Sequence, residues 1–366
     1  MMGLVRNSPI GLLPCQLMRS AALDLRHFAT GTPVLHLGLI LVLWGALWSL
    51  PVAAQTSGNN NPAASPSAAP SASPTVSLVF AGDIVLDDEA GQLIAEGGDP
   101  FASFAPLFQS ADIRLGNLEC VVATTGSAGD KNYTFRAHPR TLSVLKRHFD
   151  ALGLANNHSG DFGREAFAEM LGLLQQHGLG QFGGGHNLAE AHTPLILERK
   201  GLRIAILGYN EFLPRSFEAD YNAPGSAWSE DEQVVADIRA ARQRHHADLV
   251  IPVMHWGWEN MRESNGRQKQ LARLMIDAGA DAVIGGHPHV TQEIAHYHGK
   301  PIVYSVGNFV MKETDNDYQR QGWVLRLQLD KRGVVALDAQ TAHISMSGIP
   351  TWRADLPGPQ WQRPAR

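Results

Sequence analysis

From residue 76 onward, short apolar runs alternate with amphipathic segments. The clearest runs, at 76–81, 204–207, 249–254 and 281–284, are bounded by polar or glycine-containing turns and predict buried strands. Between such runs, apolar residues recur three and four positions apart, which predicts helices with one buried face. Strand, helix and strand in series predict an α/β fold with a largely parallel inner sheet, and ligands of such folds gather at the carboxyl ends of the strands.

The pattern changes toward the C-terminus. Apolar and polar residues alternate at 302–306 and 323–329, and this spacing predicts antiparallel strands. Beyond Gly348 the alternation fades, so residues 346–366 are predicted to form a Pro-rich tail. The folded domain is therefore predicted to span residues 76–345.

Residues 1–54 have the pattern of a targeting segment. Basic residues precede an apolar run at 37–50, and Val52-Ala53-Ala54 supplies the small residues of a signal-peptidase site. That run is shorter than the ~20 residues that span a bilayer, but 34–54 reaches this length, so a signal peptide and an uncleaved signal anchor both remain open. Residues 55–75 are uncharged and rich in Ala, Ser and Pro, which predicts a disordered linker. Both alternatives place the domain across the inner membrane, either periplasmic or membrane-anchored and facing outside.

Composition narrows the chemistry. The chain has 366 residues, of which 44% are hydrophobic, so it is long enough for a substantial core. Its formal net charge of −5 gives no electrostatic support for nucleic-acid binding. Of its two cysteines, Cys15 and Cys120, the first lies in the targeting segment, so a cysteine-based zinc site is not expected. A metal would be held by His, Asp, Glu or Asn.

The segment Gly285-Gly286-His287-Pro288-His289 directly follows a predicted strand. Two histidines one residue apart on such a loop can face a single point, and Pro288 restricts the backbone between them. Other predicted strands also end in ligand-type side chains, namely Asp83, Glu119, Asn157, His158 and His255. Each has an ordinary structural alternative, such as a turn, a helix cap or a packed core histidine. Their joint occurrence at five strand ends favours a shared site.

The donor set suits a divalent metal, Mn, Zn, Fe or Mg, bound as one or two ions. The predicted ligands are Asp83, Glu119, Asn157, His255, His287 and His289. A dinuclear centre lowers the pKa of a bridging water and holds the oxygens of an anionic substrate, and Glu119 is placed to bridge two ions. His158, beside Asn157, is placed to protonate a leaving group and is the predicted catalytic residue.

Seven motifs, found in the same order over residues 76 to about 330, resemble the CapA (poly-γ-glutamate capsule synthesis) family. They are Phe80-Ala81-Gly82-Asp83, Gly116-Asn117-Leu118-Glu119, Tyr133-Thr134-Phe135-Arg136-Ala137, Ala155-Asn156-Asn157-His158, His255-Trp256-Gly257, His287-Pro288-His289-Val290 and Tyr304-Ser305-Val306-Gly307-Asn308-Phe309. That family is similar in turn to calcineurin-like metallophosphoesterases. The resemblance implies a four-layer α/β/β/α sandwich of two packed sheets and a role in making, releasing or exporting an extracytoplasmic poly-γ-glutamate polymer.

The chain departs from the metallophosphoesterase pattern at three positions. Those enzymes open with Asp-x-His, whereas Ile84 and Val85 follow Asp83 here, and Glu119 stands where they usually carry Asp. Gly286 stands where a histidine often precedes the two histidines of the loop. A site with a single metal, or with a weaker first metal, is therefore open.

Arg136 lies between the Glu119 and Asn157 strands, so a loop that carries it can cover the site. Its planar guanidinium suits bidentate pairing with carboxylate or phosphate, and the resemblance covers it directly. Arg136 is thus predicted to bind substrate, with a solvated surface arginine as the alternative.

Three functions share this predicted fold. The first is a metal-dependent hydrolase or transferase acting on a γ-glutamyl or related anionic polymer. The second is a periplasmic metallophosphoesterase with a small anionic substrate. The third is a non-enzymatic capsule assembly subunit. A membrane-bound capsule synthesis complex is the expected protein partner.

Overall fold

The structure is a computed structural model that describes residues 75–213, 215–312 and 314–364. The predicted targeting segment 1–54, and all of the predicted linker 55–75 except its last residue, lie outside these ranges.

The described strands and helices follow one another largely as the hydrophobic pattern predicts. The strands are β1 (Val76–Ile84), β2 (Ile113–Leu118), β3 (Val121–Val122), β4 (Arg136–Ala137), β5 (Ala151–Gly153), β6 (Gly180–Phe182), β7 (Gly184–Gly185), β8 (Leu195–Arg199), β9 (Leu202–Asn210), β10 (Gly225–Ser226), β11 (Leu249–His255), β12 (Val283–Gly286), β13 (Ile294–Tyr297), β14 (Lys300–Val303), β15 (Asn308–Val310), β16 (Gln321–Asp330), β17 (Gly333–Ile344) and β18 (Pro350–Gln362). The helices are α1 (Asp88–Ala95), α2 (Ala105–Gln109), α3 (Leu142–His148), α4 (Gly163–Gln176), α5 (Leu188–Ala191), α6 (Asp231–Gln243) and α7 (Gly266–Ala278). None of the described helices combines the length and the apolar character needed to cross a bilayer.

Two large sheets organise the domain. The first sheet has the order β18-β17-β16-β1-β2-β5-β6, with β15 also beside β1, and the second has the order β13-β14-β12-β11-β9-β8. Their inner strands, β1-β2-β5-β6 and β9-β11-β12-β14, pair in parallel. Two short ribbons, β3-β4 and β7-β10, lie outside these sheets.

Alternation along β1 assigns the layers on one side. Leu78 and Phe80 are buried against the second sheet, whereas Val79 and Ala81 are buried with the apolar residues of α1 to α4. Because successive strand residues point to opposite faces, one apolar run supplies two cores.

The second sheet repeats this arrangement. Ile204 and Ile206 of β9 face the first sheet, and Ala205 and Leu207 pack with α6 and α7. The layers are therefore helix, sheet, sheet, helix. The predicted four-layer α/β/β/α sandwich is confirmed.

Two sequence predictions near the C-terminus need correction. The run at 302–306 is predicted to form an antiparallel strand, and β14 is antiparallel to β13 as predicted but pairs in parallel with β12 on its other side. The predicted Pro-rich tail at 346–366 instead contains β18, which pairs with β17 at the edge of the first sheet. Proline is tolerated at an edge because the missing N–H faces away from the ladder. Partly buried Trp352 and Trp361 pack against the two cores and hold the strand in place.

Candidate metal centre

The register of the strands brings the predicted site residues to one edge of the two sheets. In the first sheet, Asp83 at the end of β1 pairs with Asn117 of β2 on one side and Asn308 of β15 on the other. In the second sheet, His255 at the end of β11 pairs with Asn210 of β9 and Gly286 of β12. The carboxyl ends of both parallel sets thus meet at one edge, as predicted for an α/β fold.

The double-histidine loop turns sharply into this edge. His287 and His289 have φ values of 94° and 58°, a left-handed region that costs a non-glycine residue roughly 1 kcal/mol or more. The main-chain N–H of His287 donates to Asp83 Oδ2 at 3.3 Å. A Cβ atom on Gly286 would lie 3.1 Å from Asp83 Oδ1, so the loop approaches that carboxylate more closely than most side chains allow. The strain is retained where it brings both imidazoles to the site.

Potential ligand atoms converge around Nε2 of His255. Asn157 Oδ1 lies 2.7 Å from it, His287 Nδ1 3.1 Å and Glu119 Oε1 3.2 Å. Glu119 follows β2 directly, and its main-chain N–H donates to the carbonyl of Ile84 in β1. The first sheet therefore supplies the carboxylate and the second supplies the imidazoles.

Two groups of three donors share Glu119. Asp83, Glu119 and His255 form one group, and Glu119, His287 and His289 form the other; within each group the donor atoms lie within 4.8 Å of one another. Among the described residues, both carboxylate oxygens of Glu119 and Nε2 of His287 are buried without a hydrogen-bond partner. A buried carboxylate without partners is costly unless a cation balances it. These residues therefore fit one or two divalent ions.

Burial sets the protonation of the donors. Burial, reinforced by the Asp83 carboxylate, raises the pKa of Glu119 well above its usual value. Burial lowers the pKa of His255 to about 4 and that of His287 well below its usual value. Burial also opposes protonation of His289, but the Glu119 and Asp83 carboxylates outweigh it and raise the pKa. His255 and His287 are therefore neutral near pH 7, which is the form that binds metal.

His158 is held by a buried carboxylate. Its Nδ1 lies 2.7 Å from Asp161 Oδ2, and its ring stacks on the Phe135 ring at a centroid distance of 4.3 Å. Burial lowers the pKa of His158, an effect that its hydrogen bond to Asp161 opposes. Asp161 also accepts from the main-chain N–H of Phe135 and from Lys131, so it acts as an acceptor and the imidazole Nδ1 carries a proton.

The side chain of Arg136 stacks on an aromatic ring, and its role in binding substrate stays a prediction. It lies in β4, and its guanidinium carbon is 4.3 Å from the centroid of the Phe162 ring. Its main-chain N–H donates to Asp87 Oδ2 at 3.2 Å. The preceding residue, Phe135, packs on His158, so the strand borders the site even though the arginine side chain rests on an aromatic ring.

Residues 77–313, which include every residue of this cluster, match the family described as "Bacterial capsule synthesis protein PGA_cap". The chain belongs to that family. The predicted CapA resemblance is thus confirmed.

Individual relatives agree with this assignment. "PGA biosynthesis protein CapA" of Bacillus subtilis is 34% identical over 254 residues, covering 68% of this chain and 64% of the relative. "Capsule biosynthesis protein CapA" of Bacillus anthracis is 28% identical over 285 residues, covering 74% and 67% respectively. The chain thus spans about two thirds of the length of these relatives. Among solved structures, Haemophilus influenzae NAD nucleotidase (NadN) aligns with 12% identity and a TM-score of 0.44, covering 76% of this chain and 59% of that one.

The structure of this CapA-family chain also reveals polar residues that the sequence prediction missed. Asn117 donates to Asp83 Oδ1 at 2.8 Å, and Asn156 donates to Asn117 Oδ1 at 3.2 Å and to the Leu118 carbonyl at 2.9 Å. Asn308 Oδ1 lies 2.9 Å from Nδ1 of His289. These amides orient the predicted ligands. Each lies in one of the motifs that carry the family resemblance, which was the available signal.

Proposed function

We propose that this chain is an extracytoplasmic, metal-dependent hydrolase that acts on poly-γ-glutamate or a related anionic capsule polymer during its synthesis, release or export. The observation that carries the proposal is Glu119, which is fully buried, has neither oxygen in a hydrogen bond with a described residue, and is surrounded by His255, His287 and His289. Such a carboxylate destabilises a fold unless it holds a cation.

One or two ions of Mn, Zn, Fe or Mg, held by Asp83, Glu119, Asn157, His255, His287 and His289, would supply Lewis acidity and lower the pKa of a water molecule. The chain's own residues handle the proton. With Nδ1 of His158 donating to Asp161, the neutral ring has Nε2 available to take a proton and pass it to the leaving group. The stacked Phe135 ring keeps the imidazole in that orientation.

Space for a substrate lies beside the histidines. The Phe212 ring is 3.9 Å from the His287 ring, centroid to centroid, and it lines an open cavity of about 420 Å³ together with Leu213 and Trp258. Apolar walls of this kind suit the methylene groups of a γ-glutamyl chain. Its carboxylates need cations, for which we propose Arg136, a residue of the strand that borders the site rather than of the cavity wall. The names of the Bacillus relatives support the polymer as substrate.

The N-terminal residues 1–54 support secretion across the inner membrane, with the domain periplasmic or anchored and facing outside. A membrane-bound capsule synthesis complex is the partner that we propose, because a polymer made at the membrane must be handed to this site.

Phosphoester hydrolysis is the second candidate, because the fold is of the metallophosphoesterase type and the donor set suits that chemistry. Metal analysis of the purified protein, followed by assays of poly-γ-glutamate chain length and of a phosphoester, separates the alternatives. We expect metal-dependent shortening of the polymer that His287→Ala abolishes. Hydrolysis of the phosphoester alone would favour the second candidate. Bound metal without either activity would favour a non-enzymatic assembly subunit.

A further inference from the structure

Lys131 contacts two residues of the site from outside. It lies on the exposed segment 124–134, which connects β3 to β4. Its Nζ donates to Asp161 Oδ1 at 2.5 Å and to the main-chain carbonyl of Asn157 at 2.8 Å. The Lys131 side chain is 31% exposed, whereas that of Asp161 is fully buried. The ammonium group therefore lies at the boundary between solvent and the site.

Asp161 connects Lys131 to other residues of the site. Its Oδ2 accepts from Nδ1 of His158 at 2.7 Å and from the main-chain N–H of Phe135 at 2.8 Å. Its main-chain carbonyl accepts from Gly129 at 2.8 Å. Among the residues that the structure describes, the ion-pair partners of Asp161 are Lys131 and His158. A buried carboxylate needs such a counter-charge, and the ammonium group of Lys131 supplies one.

We propose that Lys131 is a positioning residue for this site. It fixes Asn157 through the carbonyl of that residue and fixes His158 through Asp161, so the Asn157–His158 turn is ordered only while segment 124–134 lies against it. Lys131 is not hydrogen-bonded to either site side chain, and it acts through the atoms that hold them. Segment 124–134 is thereby coupled to the ligand side chain of Asn157, whose Oδ1 is 2.7 Å from His255 Nε2.

The chain contains a matched control. Lys200 Nζ also joins a carboxylate, Asp112 Oδ2 at 2.7 Å, and a main-chain carbonyl, that of Thr75 at 3.3 Å. This pair lies at the amino ends of β1 and β2, opposite the edge that carries the site. Lys131→Met and Lys200→Met therefore remove similar contacts, and only the first faces the site.

Two measurements test the proposal without a substrate. Hydrogen exchange of the Phe135 amide in metal-free protein reports whether the segment still lies on Asp161. Calorimetric titration measures the affinity of the site for Mn²⁺. In Lys131→Met we expect Phe135 exchange to rise roughly tenfold or more and Mn²⁺ affinity to fall roughly 10- to 100-fold. Lys131→Arg, which keeps charge and reach, should restore most of both. Lys200→Met should leave both near the wild-type values.

Phe135 exchange and Mn²⁺ affinity in Lys131→Met that match those of Lys200→Met would overturn the proposal, as would failure of Lys131→Arg to rescue either. Lys131→Gln, measured in parallel, keeps a hydrogen-bond donor but removes the positive charge, and it provides a second variant for the comparison. The inference rests on the proposed metal site for its affinity measurement only. A wild-type protein that binds no Mn²⁺ would count against the proposed function, while the exchange comparison would still decide the role of Lys131.

Discussion

Glu119 Oε1 lies 3.2 Å from His255 Nε2, and the two residues are among the most buried polar groups of the domain. Their proximity has the geometry of a salt bridge, but burial raises the pKa of Glu119 and lowers that of His255 to about 4. Burial therefore favours the uncharged form of both partners. A divalent cation held by both residues would favour the ionised form of Glu119 and would bind the neutral imidazole of His255.

Glu119→Gln is expected to abolish stabilisation by metal without lowering the stability of the metal-free protein. The folded-state pKa of Glu119 is raised, so wild-type protein without metal loses stability as pH rises through that pKa, and the amide removes this dependence. With metal at about 100 times its Kd, wild-type protein should gain about 2.7 kcal/mol. Denaturant unfolding with and without Mn²⁺ measures both terms. A variant that keeps the metal-dependent gain would show that Glu119 is not a ligand.

His255→Ala and His287→Ala should each reduce metal occupancy, because each removes a donor from a group of three that shares Glu119. Metal content after purification and dialysis is the measurement. His186→Ala is the control, since the His186 side chain is exposed and the hydrogen bond from this residue to Glu190 is made by its main chain. Occupancy equal to wild type in both site variants would contradict the assignment.

Gly286→Ala tests the close approach of the histidine loop to Asp83. The new Cβ would lie 3.1 Å from Asp83 Oδ1, so the carboxylate must shift by a few tenths of an ångström. We expect metal affinity to fall about tenfold or more, with a smaller change in unfolding free energy. Gly172→Ala in α4 is the control, because nothing lies within 4 Å of its Cβ position, and it should stabilise the protein by about 0.5–1 kcal/mol. Unchanged affinity in Gly286→Ala would mean that Asp83 is free to move without affecting the site.

The hydrophobic pattern of the sequence predicts the fold well where side-chain burial determines that pattern. The six predicted ligands lie together because parallel strands end at a common edge, and that follows from strand order alone. The positions of Asn117 and Asn308 did not follow, because an asparagine after a strand is usually a turn former. Only the register of β1 with β2 and β15 shows that both amides flank Asp83.

The C-terminal strand β18 is an element that the sequence pattern did not predict. The proline and charged residues in 346–366 obscure the strand in the hydrophobic pattern, because an edge strand needs to bury only part of one face. Its anchors are tertiary contacts. The main-chain N–H of Trp352 donates to Ser103 Oγ at 2.9 Å, and the Trp352 ring stacks with Phe104. Contacts across some 250 positions of sequence leave no local periodicity to read.

Arg136→Lys is expected to weaken binding of poly-γ-glutamate while leaving metal content unchanged. Lysine keeps the charge but loses both the planar fork and the stacking on Phe162. Unfolding free energy should change by about 0.5 kcal/mol or less, as for a surface substitution. Arg353→Lys is the control, because Arg353 pairs with Asp355 on the exposed edge strand. Polymer affinity equal to wild type would leave Arg136 as a structural surface residue.

The last prediction concerns the other attachment of segment 124–134. Glu169 in α4 accepts hydrogen bonds from the main-chain N–H groups and hydroxyls of Thr124 and Thr125, at 2.6 to 3.0 Å. Slight burial acts to raise the pKa of Glu169, but these hydrogen bonds outweigh it and lower the pKa from 4.5 to about 2. A lowered folded-state pKa contributes stability above the unfolded value, and that stability is lost as pH falls toward the folded value.

Wild-type protein should therefore exceed Glu169→Gln in unfolding free energy at neutral pH, by on the order of 1 kcal/mol because solvent screens a partly exposed carboxylate. The difference should narrow as pH falls from 4.5 toward about 2. Denaturant unfolding at a series of pH values measures it, and Glu165→Gln, an exposed first-turn carboxylate of the same helix, is the control. A difference that is independent of pH would mean that the threonines stabilise the segment through the shape of the Glu169 side chain rather than through its charge.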